Sequence, residues 1–185
     1  GKTQAVNIYE IHLGSWKDSN HTYSTIAKPL VEYLKKSGFN YVEFMPICEY
    51  PVDESWGYQA FGFFSPTSRY GTPDELKYLI DTLHRANIGV ILDFAPVHFS
   101  VDDFGLCKFD GTALYEFPSD DIAYNEWGSK NFNHSRGEVR SFLQSAIMYW
   151  LKEFHFDGIR MDAIRNMIYW QGDTNRGINA GAVEF

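Results

Sequence analysis

Arg160 and Asp162 stand two apart in the stretch FDGIRMDAI, residues 156–164, which otherwise has the apolar character of a buried strand. On a strand, residues i and i+2 point to the same side. An arginine does not deprotonate in a protein, so Arg160 would hold the Asp162 carboxylate charged and oriented. A charged, aligned carboxylate is what nucleophilic attack on a sugar's anomeric carbon requires. A buried ion pair that only fixes the strand has the same spacing. Asp157, at the start of the stretch, reads as structural.

A second pair, Asp93 and His98, lies toward the end of the apolar run GVILDFAPVHF, residues 89–99. Metal ligation is one reading and hydrogen bonding to substrate hydroxyls another. No third ligand stands at helpful spacing and no HExxH pattern accompanies them, so neither a metal nor another cofactor is expected. Tyr58, in SWGYQ at 55–59, would stack under a sugar ring or belong to the core.

The elements that must position these residues alternate. Residues 5–13 read as a strand, 22–38 as a helix and 40–47 as a second strand. The span 72–89 is the clearest helix, with Thr72 as N-cap, Pro73 at the first helical position and Asp74 and Glu75 in the first turn. A third strand is expected over 89–99, a helix over 136–154 and a fourth strand over 156–164. Near-continuous apolar strands separated by helices predict a parallel sheet covered by helices, either a doubly wound open sheet or a (β/α)8 barrel.

The polar residues favour the barrel. Glu10 and His12, Glu49, Asp93, and Arg160 with Asp162 all fall at or after strand C-terminal ends, where barrels of this kind build their sites. Four strands do not close an eight-stranded barrel. Residues 1–185 therefore read as a partial (β/α)8 catalytic domain, its first four β/α units, with a long irregular excursion over 100–135 after strand three.

The bulk numbers fit. The chain has 185 residues, 44% of them hydrophobic and 22% charged, which is globular rather than disordered. A net charge of −8 disfavours nucleic acid or an acidic membrane as partner, and no apolar run is long enough to span a bilayer. Aromatic residues reach 17%, which supplies either a large aromatic core or rings that stack sugars. Cys48 and Cys107 lack metal spacing and suit a reducing cytoplasm better than a disulfide framework. Both ends look cut from a longer protein.

These motifs together resemble the α-amylase superfamily of glycoside hydrolases and, within it, the glycogen (1,4-α-glucan) branching enzymes. DFAPVHF is similar to the family's first signature and DGIRMDAI to its second. IYEIHLGSW, DESWGYQAFGFFSPTSRYGTPDELKYLID, FDGTALYE and DAIRNMIY carry the branching-enzyme character, and the likeness covers almost the whole chain. One position departs: Val97 stands before His98, where many branching enzymes have Gly and many amylases Asn. A β-branched residue there excludes a left-handed backbone.

The resemblance implies retaining transglycosylation that cleaves α-1,4-glucan and forms α-1,6 branches in glycogen biosynthesis. Asp162 would be the nucleophile and Arg160 its partner. Asp93 and His98 would bind the sugar, Tyr58 would stack against it, and Trp56 and Gln59 would contact substrate. The substrates would be glycogen, amylose or maltooligosaccharides. The general acid/base is expected beyond Phe185, in the missing C-terminal half of the barrel, so the isolated chain is expected to be inactive. The alternatives are an α-glucan hydrolase of the α-amylase type and a non-catalytic α-glucan-binding fragment. Open strand edges at strands one and four would template pairing into a homo-oligomer.

Overall fold

A computed structural model describes residues 4–17 and 20–185. Its centre is a four-stranded parallel sheet of β1 (Ile8–Ile11), β2 (Tyr41–Phe44), β3 (Gly89–Phe94) and β4 (Gly158–Met161). The spatial order is the chain order, β1-β2-β3-β4. A doubly wound sheet reverses its order at a switch point, whereas sequential neighbours throughout make a barrel wall. The first four β/α units expected from the sequence are thus the observed architecture.

Three long helices connect the strands: α1 (Tyr23–Ser37), α2 (Pro73–Arg85) and α3 (Gly137–Glu153). Local chemistry sets their ends. Thr72 accepts a hydrogen bond from the Glu75 amide while the Glu75 carboxylate reaches back to the Thr72 amide, and Pro73 fills the first turn, where its missing N–H costs nothing. Thr22 and Thr25 make the same reciprocal box at the start of α1, and Gly38 closes that helix at φ 79°.

One face of the sheet is dry. Val42 and Phe44 of β2, and Val90, Leu92 and Phe94 of β3, join Leu30, Leu34, Leu79, Leu83, Leu143 and Trp150 of the helices in one core. The alternate positions belong to the other face, where Ile8, Glu10, Glu43 and Arg160 keep access to water. A strand buried on one side and open on the other alternates in this way because successive side chains point to opposite faces.

All four expected strands are shorter than their runs: 5–13 is a strand only over Ile8–Ile11, and 40–47 only over Tyr41–Phe44. The 89–99 run leaves the sheet after Phe94, bends at Pro96 and Val97, and resumes as His98–Phe99, paired antiparallel with Lys130–Asn131. Pro96 explains the break, since it donates no ladder hydrogen bond. The 156–164 run ends at Met161; Ala163 adopts a left-handed φ of 52° and a short helix, Ile164–Ile168, begins. Val97 needs no left-handed backbone: its carbonyl accepts from the Phe132 amide and its side chain packs with Met167 and Ala182.

The 100–135 excursion is largely irregular, as expected, yet it is tied down by buried Phe117 and Phe132 and by a helical turn at Asp120–Ala123. Cys48 and Cys107 are both free thiols. Among the described residues, no helix is long and apolar enough to cross a membrane.

Candidate active site

The sheet register does what sequence spacing alone does not: it sets Asp93 of β3 directly beside Arg160 of β4. The Arg160 Nη1 donates to both oxygens of Asp93, at 2.9 and 2.8 Å, and lies 2.7 Å from Oδ1 of Asp162. One guanidinium therefore bridges two carboxylates. The Asp162 amide donates to the Phe94 carbonyl, which continues the β3–β4 ladder one step past the strand and fixes where its side chain starts.

The three charges differ in exposure. Asp93 is 0% exposed, while the side chains of Arg160 and Asp162 are 43% and 30% exposed. Tyr58 also donates its hydroxyl to Oδ2 of Asp93 at 2.7 Å. Burial pushes the Asp93 carboxyl above its ordinary value, against the opposing hydrogen bonds from Arg160 and Tyr58. The hydrogen bond to Asp93 raises Arg160 above its ordinary value, and the arginine stays charged. Burial, then the hydrogen bond to Asp93, makes the Tyr58 hydroxyl harder to ionise, so it remains a donor. On the same open face, Glu43 is raised by burial and then by the Asp93 and Glu10 carboxylates.

Tyr58 is placed by a tight turn. Gly57 has φ 89°, and a Cβ there would run into the Pro46 carbonyl, so the turn tolerates only glycine at that close approach. The Tyr58 carbonyl accepts a hydrogen bond from Nε2 of His98 at 2.8 Å, and Nδ1 of His98 accepts one from the Asn125 amide group at 2.9 Å. A carbonyl only accepts and an amide N–H only donates, so these partners fix His98 as its Nε2–H tautomer. Burial holds its pKa below the ordinary value, and the ring is neutral.

Asp162, Tyr58, His98 and Gln59 line one open cleft of about 360 Å3, together with Glu54 and Trp127. The residues expected to carry the chemistry are brought together with one exception. Trp56 is 57% exposed and leans toward His12, with ring centroids 5.7 Å apart, away from the cleft lining. Gln59 reaches the cleft and donates through Nε2 to the Trp127 carbonyl at 3.0 Å. Asp93 lies beneath the cleft with its oxygens committed to Arg160 and Tyr58. In this geometry it holds Arg160 and the cleft-lining Tyr58 in place.

The Glu49 carboxylate is engaged within its own loop. It binds Arg69 at 2.9 Å and the Ser68 amide at 2.8 Å, which ties the loop after β2 to itself. Asn125 and Trp127 were not singled out from the sequence. The only signal was an aromatic in the polar run YNEWGS, and neither periodicity nor motif marked it. Among the described residues, no group of three or more His, Cys, Asp or Glu side chains is arranged to hold a metal ion.

Residues 19–111 match the alpha amylase catalytic-domain family. A 1,4-alpha-glucan branching enzyme GlgB of Fusobacterium nucleatum is 51% identical over 189 aligned residues, which cover 100% of this chain and 31% of that protein. The branching enzyme GlgB of Picrophilus torridus is 52% identical, with 97% of this chain and 27% of that protein covered. This chain thus spans about a third or less of the length of these curated relatives. Among solved structures, a putative alpha amylase from Salmonella typhimurium superposes with a TM-score of 0.70 at 28% identity, over 91% of this chain and 26% of that one.

Proposed function

The chain belongs to the family of alpha amylase catalytic domains, and from that premise we propose that its parent protein is a 1,4-α-glucan branching enzyme. The observation that carries the chemistry is the Asp93–Arg160–Asp162 bridge, which presents one carboxylate to the cleft with its charge held by a permanent cation. The likeness at about half identity to proteins named branching enzymes supports the choice of branching over hydrolysis.

In this reading an Asp162 oxygen attacks the anomeric carbon of an α-1,4-linked glucosyl residue. The bond from that carbon to the 4-oxygen breaks, and a second carboxyl group gives the leaving oxygen a proton. The 6-hydroxyl of another glucose then attacks the same carbon, its proton returns to the second carboxyl, and Asp162 leaves. One α-1,4 linkage becomes one α-1,6 linkage, and no water or cofactor is consumed. Arg160 aims Asp162, Asp93 holds both Arg160 and Tyr58, and Tyr58, His98 and Gln59 line the space for the sugar. The second carboxyl would come from the remainder of an eight-stranded barrel, of which this sheet supplies four strands.

The parent protein incubated with amylose should create linkages that isoamylase removes, with no matching rise in reducing ends. A rise in reducing ends without new branch points would replace branching with hydrolysis. The 185-residue chain by itself should do neither.

A further inference from the structure

Trp127 is the one large ring that the excursion over 100–135 sends into the cleft. Its backbone is fixed on both sides. The Trp127 amide donates to Oδ1 of Asn125 at 3.0 Å, and the Trp127 carbonyl accepts from Gln59 at 3.0 Å. Asn125 is itself tied to the site and to its own loop: its amide group donates to His98 at 2.9 Å and to Asn131 at 3.1 Å, and its Oδ1 also accepts from the Ser129 amide. The same asparagine that sets the His98 tautomer therefore sets the tryptophan.

With so many hydrogen bonds around it, Trp127 is still 44% exposed. It meets the His98 ring in a T-shaped arrangement, with centroids 5.4 Å apart and an interplanar angle of 67°, so at most one of its two faces is taken up by that neighbour. A rigidly mounted, half-open aromatic beside polar groups is how a site offers an apolar surface and directional hydrogen bonds to one ligand. A glucose ring has matching surfaces: its C–H groups form an apolar patch, and its hydroxyls seek polar partners.

We propose that Trp127 is the stacking wall of the cleft, receiving the C–H face of a glucosyl residue of the bound glucan. Tyr58, His98 and Asp162 form the polar side of the same space. This rests on the α-glucan reading above and adds a specificity-determining contact to it.

Calorimetric titration of the purified protein with maltoheptaose tests the assignment, together with NMR observation of the Trp127 indole N–H, identified by its loss in Trp127→Phe. Binding by Trp127→Ala should be about tenfold weaker than wild type, while Trp127→Phe, which keeps a flat ring, should stay within about threefold. In the unmodified protein the Trp127 indole signal should move on titration, a readout that does not depend on how any variant folds. Wild-type affinity in Trp127→Ala, equal losses in Ala and Phe, or an indole signal that ignores the sugar would overturn the stacking role and leave the α-glucan reading in place. No binding by the unmodified protein would overturn both.

Discussion

Two aspartates that flank β4, Asp157 and Asp162, sit five positions apart at opposite edges of the sheet and meet opposite fates. At the N-terminal edge, Oδ2 of Asp157 accepts from the Val90 amide at 2.7 Å and lies 2.8 Å from Nε2 of His84. Its charge locks β4 to β3 and to α2. At the C-terminal edge, the Asp162 carboxylate meets Arg160 and, among the described residues, no other hydrogen-bonding partner. Its remaining lone pairs face the cleft. At the N-terminal edge Asp157 is used up by partners within the protein; at the C-terminal edge Asp162 keeps acceptor capacity in reserve.

Replacing each aspartate should separate the two roles, and Asp162 gives the larger effect. Asp162→Asn keeps the shape of the side chain and removes the carboxylate proposed as nucleophile. Branching by the parent protein should fall by about 10⁴-fold or more, while stability to urea should change by less than about 1 kcal/mol. Substantial residual branching, or a stability loss as large as that of Asp157→Ala, would break the contrast.

Removing the bridge comes next. Arg160→Met leaves Asp93 buried without its cation, and an uncompensated buried charge is costly. Half-exposed Arg160 places the expected loss at the low end of such cases, about 3 kcal/mol in urea unfolding. The Asp93 carboxyl should also take up a proton at higher pH than in the native protein, which carboxyl NMR shifts would report. If Arg160→Met unfolds like the native protein, the guanidinium is a surface group and the two-carboxylate bridge is not what organises this edge.

The opposite edge should respond in stability alone. Asp157→Ala leaves the amide of fully buried Val90 without its acceptor, at a cost of about 1–3 kcal/mol. Branching per folded molecule should be unchanged. A selective loss of branching in Asp157→Ala at temperatures where it remains folded would show that the two edges are coupled.

Much of this division was legible before any coordinates. The helix caps at Thr72 and Gly38 follow from local chemistry, and the structure places both where the residue types require. The one-sided clustering of Glu10, Asp93, Arg160 and Asp162 points to a barrel wall, and the structure gathers Asp93, Arg160 and Asp162 at its C-terminal edge. Three things did not follow from spacing. The spacing of two positions pairs Arg160 with Asp162, but its buried partner is Asp93, 67 positions away, and only the β3–β4 register brings them together. The third strand was read through Pro96 because its apolar run continues, although the ladder does not. Asn125 and Trp127 lie in irregular chain, where no period exists to announce which side chain faces a site.

Acid should weaken the reactive edge through its histidines, and this is the smallest effect. His98 and His134 are both buried, and burial holds each below its ordinary value of 6.5. Below that value the unfolded chain binds protons that the folded protein refuses, so stability must rise with pH across this window. The contribution is complete above about 6.5 and is lost as pH falls below it. Asp93 has the opposite sign: its folded value is raised from 3.8, so the stability it adds is present in acid and fades as pH rises through that folded value. Its ordinary value lies well below that of the histidines, so their loss should be met first on acidification from neutrality. The urea midpoint should therefore drop between pH 7.5 and pH 5, values chosen to bracket the ordinary histidine range. His134→Gln, which can still donate to the Pro96 carbonyl that accepts from His134 at 2.9 Å, should flatten the drop. A midpoint that holds constant across this range, or a His134→Gln slope equal to that of the native protein, would show that these rings accept protons in place and that burial at this edge is looser than the hydrogen bonds imply.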